Sequence, residues 1–153
     1  MIAVIALSAS VSCGELSHPQ PTPSVITFTL TPTGCTAEGF GVLLSPKFDA
    51  IVVNNTSSVA VFNFRRLLDG HTYSELELFV QQRQQRIAAG TDRPELADPP
   101  WTTVQAQRFV NPGQTDKFEV ELISGSYGLV CRRDKLRVNE SEAVYVIGPF
   151  RVV

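Results

Sequence analysis

"VNPGQTDKFEVELISGSYGLVC", residues 110–131, decides the class of this molecule. Asn111-Pro112-Gly113 is a turn signal. Behind it Phe118, Val120 and Leu122 face one way, and Glu119 and Glu121 face the other. A period of two with one apolar face is a half-buried strand. Ser124-Gly125 turns the chain again, after which Tyr127, Leu129 and Cys131 share a face. Two strands in succession, each with one apolar side, mark a layered β-protein.

The reading extends in both directions. In 24–32, Ile26, Phe28 and Leu30 alternate with Thr27, Thr29 and Thr31, and Pro32 ends the strand. A Gly-rich connection through Cys35 leads to the short apolar run "GFGVLLSP" (39–46). "FDAIVVNNTSS" (48–58) is a strand entering a turn. "VAVFNFRRL" (59–67) returns from it, with Ala60, Phe62 and Phe64 on one face and Val59, Val61 and Asn63 on the other. "TVQAQRFV" (103–110) and "EAVYVIGPFRVV" (142–153) complete seven or eight strands, with Gly148-Pro149 marking a bulge or bend. One segment breaks the pattern. In 69–90, Leu76, Phe79, Val80, Arg83 and Ile87 form the stripe of an amphipathic helix over about 72–90. Thr72…Glu75 and Ser74…Glu77 both have capping-box spacing, and Gly90 suits the position after the helix. Trp101 is expected to pack where the chain rejoins the sheet. The fold class is all-β, an antiparallel Greek-key sandwich with one inserted helix.

Composition bounds the function. A chain of 153 residues is one domain. Its 13 basic residues are scattered and its net charge is −2, which argues against a nucleic-acid surface. No apolar run is long enough to span a bilayer.

"MIAVIALSASVSC" (1–13) resembles the end of a bacterial lipoprotein signal, where small residues precede a cysteine that is lipidated. It departs from that pattern at Ser10, where a leucine is usual, and in lacking a positive amino-terminal region. Residues 14–23, rich in Pro and Ser, read as an extended tether, and 24–153 as the folded domain. The expectation is an exported protein, held at the cell envelope by a lipid on Cys13, facing the periplasm or the exterior. Its partners would be the membrane and another envelope protein. With Cys13 as anchor, Cys35 and Cys131 remain as an even pair in an oxidising compartment. They are either a disulfide or two independent buried thiols.

Three stretches together resemble the cupredoxin, or blue-copper, family. "IVVNNTSSVAVFNF" (51–64) is similar to its strand–Asn turn–strand. "VNPGQTDKFEVELISGSYGLVC" resembles its Pro-Gly turn and the Gly-x-Tyr-x-x-x-Cys delivery of a copper thiolate. "IGPFRVV" (147–153) resembles its closing strand. The likeness covers 24–67 and 101–153 and leaves the helix as an insertion. It implies a type 1 copper site of two imidazoles, a thiolate and a weak axial Met. The ligands are missing. Ala60, Val61 and Phe62 stand around the first ligand position, no His or Met follows Cys131, and the histidines are His18 and His71. The expectation is a scaffold without copper or any other cofactor, serving as a binding or structural module and not as an enzyme. The inserted helix and its loop are the place for a binding surface, with His71, Tyr73 and Trp101 as its candidate residues. The alternative is a divergent copper or redox protein using Cys131 with His71 or Cys35.

Other chemistry has less support. Cys131…Arg137 has phosphatase-loop spacing, but "RRDKL" is too bulky for a phosphate cradle. Arg132 and Arg133 would lower the pKa of a free Cys131 thiol. His71 beside Asp69 lacks a nucleophile in recognisable context. Glycosylation sequons at Asn54, Asn55 and Asn139 are read as marking exposed turns.

Overall fold

The computed structural model describes residues 25–68, 70–93, 98–134 and 142–153. Nine strands and one helix follow in the order β1 (Val25–Thr31), β2 (Gly34–Glu38), β3 (Leu43–Leu44), β4 (Lys47–Asn54), β5 (Ala60–Leu67), α1 (Tyr73–Ala88), β6 (Thr102–Val110), β7 (Thr115–Glu121), β8 (Gly125–Arg133) and β9 (Ala143–Val152). They form two sheets, ordered β2-β1-β4-β7 and β3-β9-β8-β5-β6. The chain crosses between the sheets at β2–β3, β3–β4, β4–β5, β6–β7 and β7–β8; β1 lies parallel to β4, and β3 to β9. This is consistent with the cupredoxin-like Greek-key sandwich with one inserted helix that the sequence leads one to expect. The end where β1, β4, β6 and β8 begin is here termed the lower end, and the opposite one the upper end.

Alternation builds the core. Ile26, Phe28 and Leu30 of β1 meet Ala60, Phe62 and Phe64 of β5 and Tyr127, Leu129 and Cys131 of β8 between the sheets. Phe64 is the hub, edge-on to Phe28 at 5.5 Å and to Phe150 at 6.3 Å. Each such buried aromatic stabilises the fold by roughly 1.5–3 kcal/mol of apolar burial. Tyr127 is fully buried, yet its hydroxyl donates to the Ile123 carbonyl at 2.7 Å, so burial leaves no orphaned polar group.

α1 covers the outer face of the second sheet. Leu76 and Val80 pack on Val130 and Val144, with Tyr73, Ile87, Trp101 and Val146 around them. The helix starts as the Thr72…Glu75 capping box, with both reciprocal hydrogen bonds present; the Ser74…Glu77 spacing is not used. Arg83, on the buried stripe, is held by Asp92 at 3.2 Å and by Glu142. A cation can sit there because two carboxylates meet it.

Four details depart from the expectations. The connection through Cys35 is a strand, β2, which pairs with β1 from Thr27↔Glu38 to Thr31↔Gly34. As a sheet edge it shows little apolar alternation, so the pattern did not reveal it. Asn54 is fully buried and does not mark an exposed turn, whereas Asn55 is exposed. The sandwich is not wholly antiparallel, because β1 runs parallel to β4 and β3 to β9. On β5, which has a neighbour on each side, Val61, Asn63 and Arg65 are buried as well as Ala60, Phe62 and Phe64. Arg65 donates to Thr102 Oγ1 at 2.9 Å and pairs with Asp98, which pins the loop leading into β6.

Candidate functional site

The lower end and the flank of α1 hold most of the candidate residues. His71 precedes the helix cap, and its ring stacks on Trp101 with centroids 4.6 Å apart and planes 13° from parallel. His71 Nδ1 stands 3.4 Å from Glu75 Oε1 without hydrogen-bond alignment. Glu75 is engaged elsewhere: its carboxylate accepts from the Thr72 backbone N–H at 2.7 Å and from Thr72 Oγ1 at 3.0 Å. The Thr72 backbone bond, then the Thr72 hydroxyl, hold its pKa below the ordinary carboxylate value.

Tyr73 lies over a hollow made by missing side chains. A β-carbon on Gly148 would fall 2.6 Å from Tyr73 Cε2, and one on Gly128 would fall 2.6 Å from Leu76 Cδ2. The β8–β9 register shifts between Tyr127 and Leu129, opposite the Gly148-Pro149 step, as expected for a bulge there. Burial, then the nearby Glu77 carboxylate, push the Tyr73 pKa up. Beside this contact a cleft of about 300 Å³ is lined chiefly by Val42, Leu67, His71, Tyr73, Tyr127 and Phe150. His71 and Tyr73 therefore line one mostly apolar, solvent-facing cleft, and Trp101 adjoins it through its stack on His71. The cleft suits a small apolar or aromatic contact more than a charged one.

Cys35 and Cys131 are bridged, with Cα atoms 6.3 Å apart. The bond ties edge strand β2 of one sheet to central strand β8 of the other. Cys131 is fully buried, whereas Cys35 is half-buried and lines a groove beside α1 with Glu77, Val80, Gln81, Gln84 and Tyr145. The structure does not bring Cys131 and His71 together. Cys131 pairs with Phe62 and Tyr145 in mid-sheet, while His71 adjoins Ser126 and Tyr127 where β8 begins. Cys131 lies four residue steps along the strand from Tyr127, about 13 Å.

The residues present do not fit type 1 copper. Cys131 Sγ is bonded to Cys35, and Ala60, Val61 and Phe62 are core side chains without donor atoms. Among the described residues no three His, Cys, Asp or Glu side chains group as metal ligands. Cys13, His18, Asp69, Arg137 and Asn139 lie outside the described residues. Among the described residues no helix is long and apolar enough to cross a membrane.

The sequence reading missed the polar centre of the upper end. Asn54 Nδ2 donates to the carbonyls of Ser58 at 2.8 Å and Val110 at 2.9 Å. Its Oδ1 accepts from the Thr56 N–H at 3.0 Å and the Thr56 hydroxyl at 2.7 Å. One side chain thus joins the β4–β5 turn to the end of β6. The signal was present in "NNTSS", since Asn followed two residues later by Thr suits a side-chain-closed turn.

No protein-family model matches the chain, and no curated protein matches it. Among solved structures it is similar to dithionite-reduced auracyanin from the photosynthetic bacterium Roseiflexus castenholzii. The two are 11% identical, with a TM-score of 0.38, over 84% of this chain and 99% of that one.

Proposed function

We propose that this chain is an exported binding module, tethered to a membrane through a lipid on Cys13, that works without type 1 copper. The observation that carries the reading is the Cys35–Cys131 bridge. It occupies the sulfur that the Gly-x-Tyr-x-x-x-Cys motif would offer to copper, and it suits an oxidising compartment outside the cytoplasm. The surface around His71, Tyr73 and Trp101 is the binding region in this reading, because it sits on the insertion beside an open cleft.

Copper titration of the oxidised protein, followed by absorption, tests the copper-free part. The expected result is no intense visible thiolate-to-copper band; such a band would overturn it. Labelled fatty acid should enter the wild-type protein and be lost in Cys13→Ser, and equal labelling of both would sink the anchor.

One observation favours a second reading, a redox-active pair: Cys35 borders an open groove. Attack there must expel Cys131 as a thiolate into the apolar core, which makes it a poor leaving group. Rapid, reversible reduction by a small dithiol would favour this second reading.

A further inference from the structure

We infer that the lower end of the sandwich is a docking surface for the lipid bilayer, and that it fixes which end of the domain faces away. The inference rests on the proposed function: the surface shares Val42, Arg151 and Trp101 with the binding region, and the bilayer is the partner it assigns to that region. Seven large hydrophobic residues are exposed among the described residues, and four of them, Val25, Val42, Ile123 and Val153, lie at the lower end. The other three, Leu78, Val104 and Phe109, are on α1 and edge strand β6. Val42 is 70% exposed and Ile123 is 55% exposed, although each belongs to an otherwise well-packed chain.

Four separate parts of the sequence supply this patch, and hydrogen bonds hold them in place. Val25 opens β1 opposite Asp49 near the start of β4. The Arg151 N–H donates to the Val42 carbonyl at 2.8 Å, and the Val153 N–H to the Leu44 carbonyl at 3.3 Å. The Leu122 N–H donates to the Pro46 carbonyl at 2.8 Å, which sets Ile123 beside them. Trp101, half-buried against His71 and also at this end, is the kind of amphipathic ring that sits at headgroup depth. Arg151 is exposed here, a cation within reach of lipid phosphate.

The occupant follows from where the chain enters. Residues 14–24 join the candidate anchor Cys13 to Val25, which is itself in the patch. That segment spans at most ~40 Å when fully extended. A sandwich whose strands run to ten residues is roughly 30 Å tall. The lower end therefore meets the membrane with the tether slack, whereas the upper end meets it only with the tether drawn out over most of its length. Aliphatic side chains, a tryptophan and exposed Arg151, beside an exposed Lys47–Glu121 pair at 3.3 Å, make a shallow interfacial contact, not an insertion. A single acyl chain alone binds reversibly, so a second weak contact adds residence as well as orientation.

The single tryptophan makes the test direct, because Trp101 reports depth. The full lipidated chain is bound to phosphatidylethanolamine–phosphatidylglycerol vesicles containing brominated acyl chains, and Trp101 emission is measured. The wild type should be quenched. Val42→Asp/Ile123→Asp should float with the vesicles equally well through its lipid, keep its melting temperature, and lose most of the quenching. If the acidic pair disturbs folding, Val42→Ser/Ile123→Ser makes the same comparison.

Equal quenching in wild type and variant, or none in either while both float, overturns the surface. If the wild type does not float and Cys13 is unmodified, the anchor reading has failed instead. The surface is then judged with full-length Cys13→Ser and excess vesicles. There the acidic pair must lower partitioning by about tenfold, and absent partitioning overturns the surface too. Loss, in the variant, of a lipid-independent dimer seen by sedimentation would assign the patch to a second copy and overturn the lipid proposal.

Discussion

Tyr73 and Gly148 share one surface: the ring of the first helical residue rests where residue 148 has no side chain, 2.6 Å from the position its β-carbon would take. Helix and closing strand can approach this closely because glycine stands at the contact. The same holds at Gly128 under Leu76, but there the near atom is the end of a flexible side chain.

The two glycines should therefore differ. Gly148→Ala, which meets the Tyr73 ring and also puts a side chain at a φ of +155°, is expected to cost about 2–3 kcal/mol, and Gly128→Ala about 1 kcal/mol. Urea unfolding measures both. In a Tyr73→Ala background the cost of Gly148→Ala should shrink, because the two changes share one contact. A cost that stays additive would mean that the Tyr73 ring is not what Gly148 accommodates.

Asn54→Asp replaces the donor aimed at the Ser58 and Val110 carbonyls with a second oxygen. The introduced carboxylate would face two carbonyls in a buried site, and protonation would restore one donor. Its folded-state pKa is therefore raised, so the variant regains stability below the ordinary carboxylate range and loses it as pH rises through the folded value. Relative to wild type, the deficit should reach roughly 3 kcal/mol at neutral pH and narrow in acid. Thermal melts of both proteins from pH 4 to 8 provide the comparison, and a deficit independent of pH would contradict it.

The Cys35–Cys131 bond joins residues 96 apart in sequence. Closing a loop of that size restrains the unfolded chain by about 4–5 kcal/mol in the chain-entropy account. Cys35→Ser/Cys131→Ser should lower stability by an amount of that order. Intact mass should rise by two hydrogens on reduction after denaturation, and two more thiols should then alkylate than before. Equal alkylation before and after reduction would show that the bond is absent in solution.

Acid should loosen the helix cap. Glu75 has a depressed pKa, chiefly from the Thr72 backbone hydrogen bond, and Asp116 has one chiefly from its hydrogen bond to Arg108. A depressed carboxylate contributes stability that is present above its unfolded value and lost as pH falls through the folded one. Glu75→Gln should flatten part of the acid limb of the melting curve, and Asp116→Asn another part. An unchanged acid limb in both variants would place the acid sensitivity elsewhere.

Much of the fold was legible because its signals are local. Period-two alternation in 24–32, 115–122 and 127–131 placed residues such as Phe28, Val120 and Tyr127 in the core. The Thr72…Glu75 spacing placed the helix start within a residue, and Gly90 its end. Edge strand β2 was not legible, since an edge strand buries too little to impose a pattern. The burial of Asn54 is not legible, because a polar side chain shows nothing of its burial until the turns it joins are brought together.

The sequence by itself determined the layers, the inserted helix, and the absence of histidine and methionine after Cys131, because each follows from neighbouring residue types. Only the tertiary structure decided that Cys35 and Cys131 meet, that His71 stacks on Trp101 far from that bond, and that Gly148 admits Tyr73. It also gathered Val25, Val42, Ile123 and Val153 at one end. Those facts depend on residues distant in the chain, whose proximity is set by strand order and register and not by any local pattern.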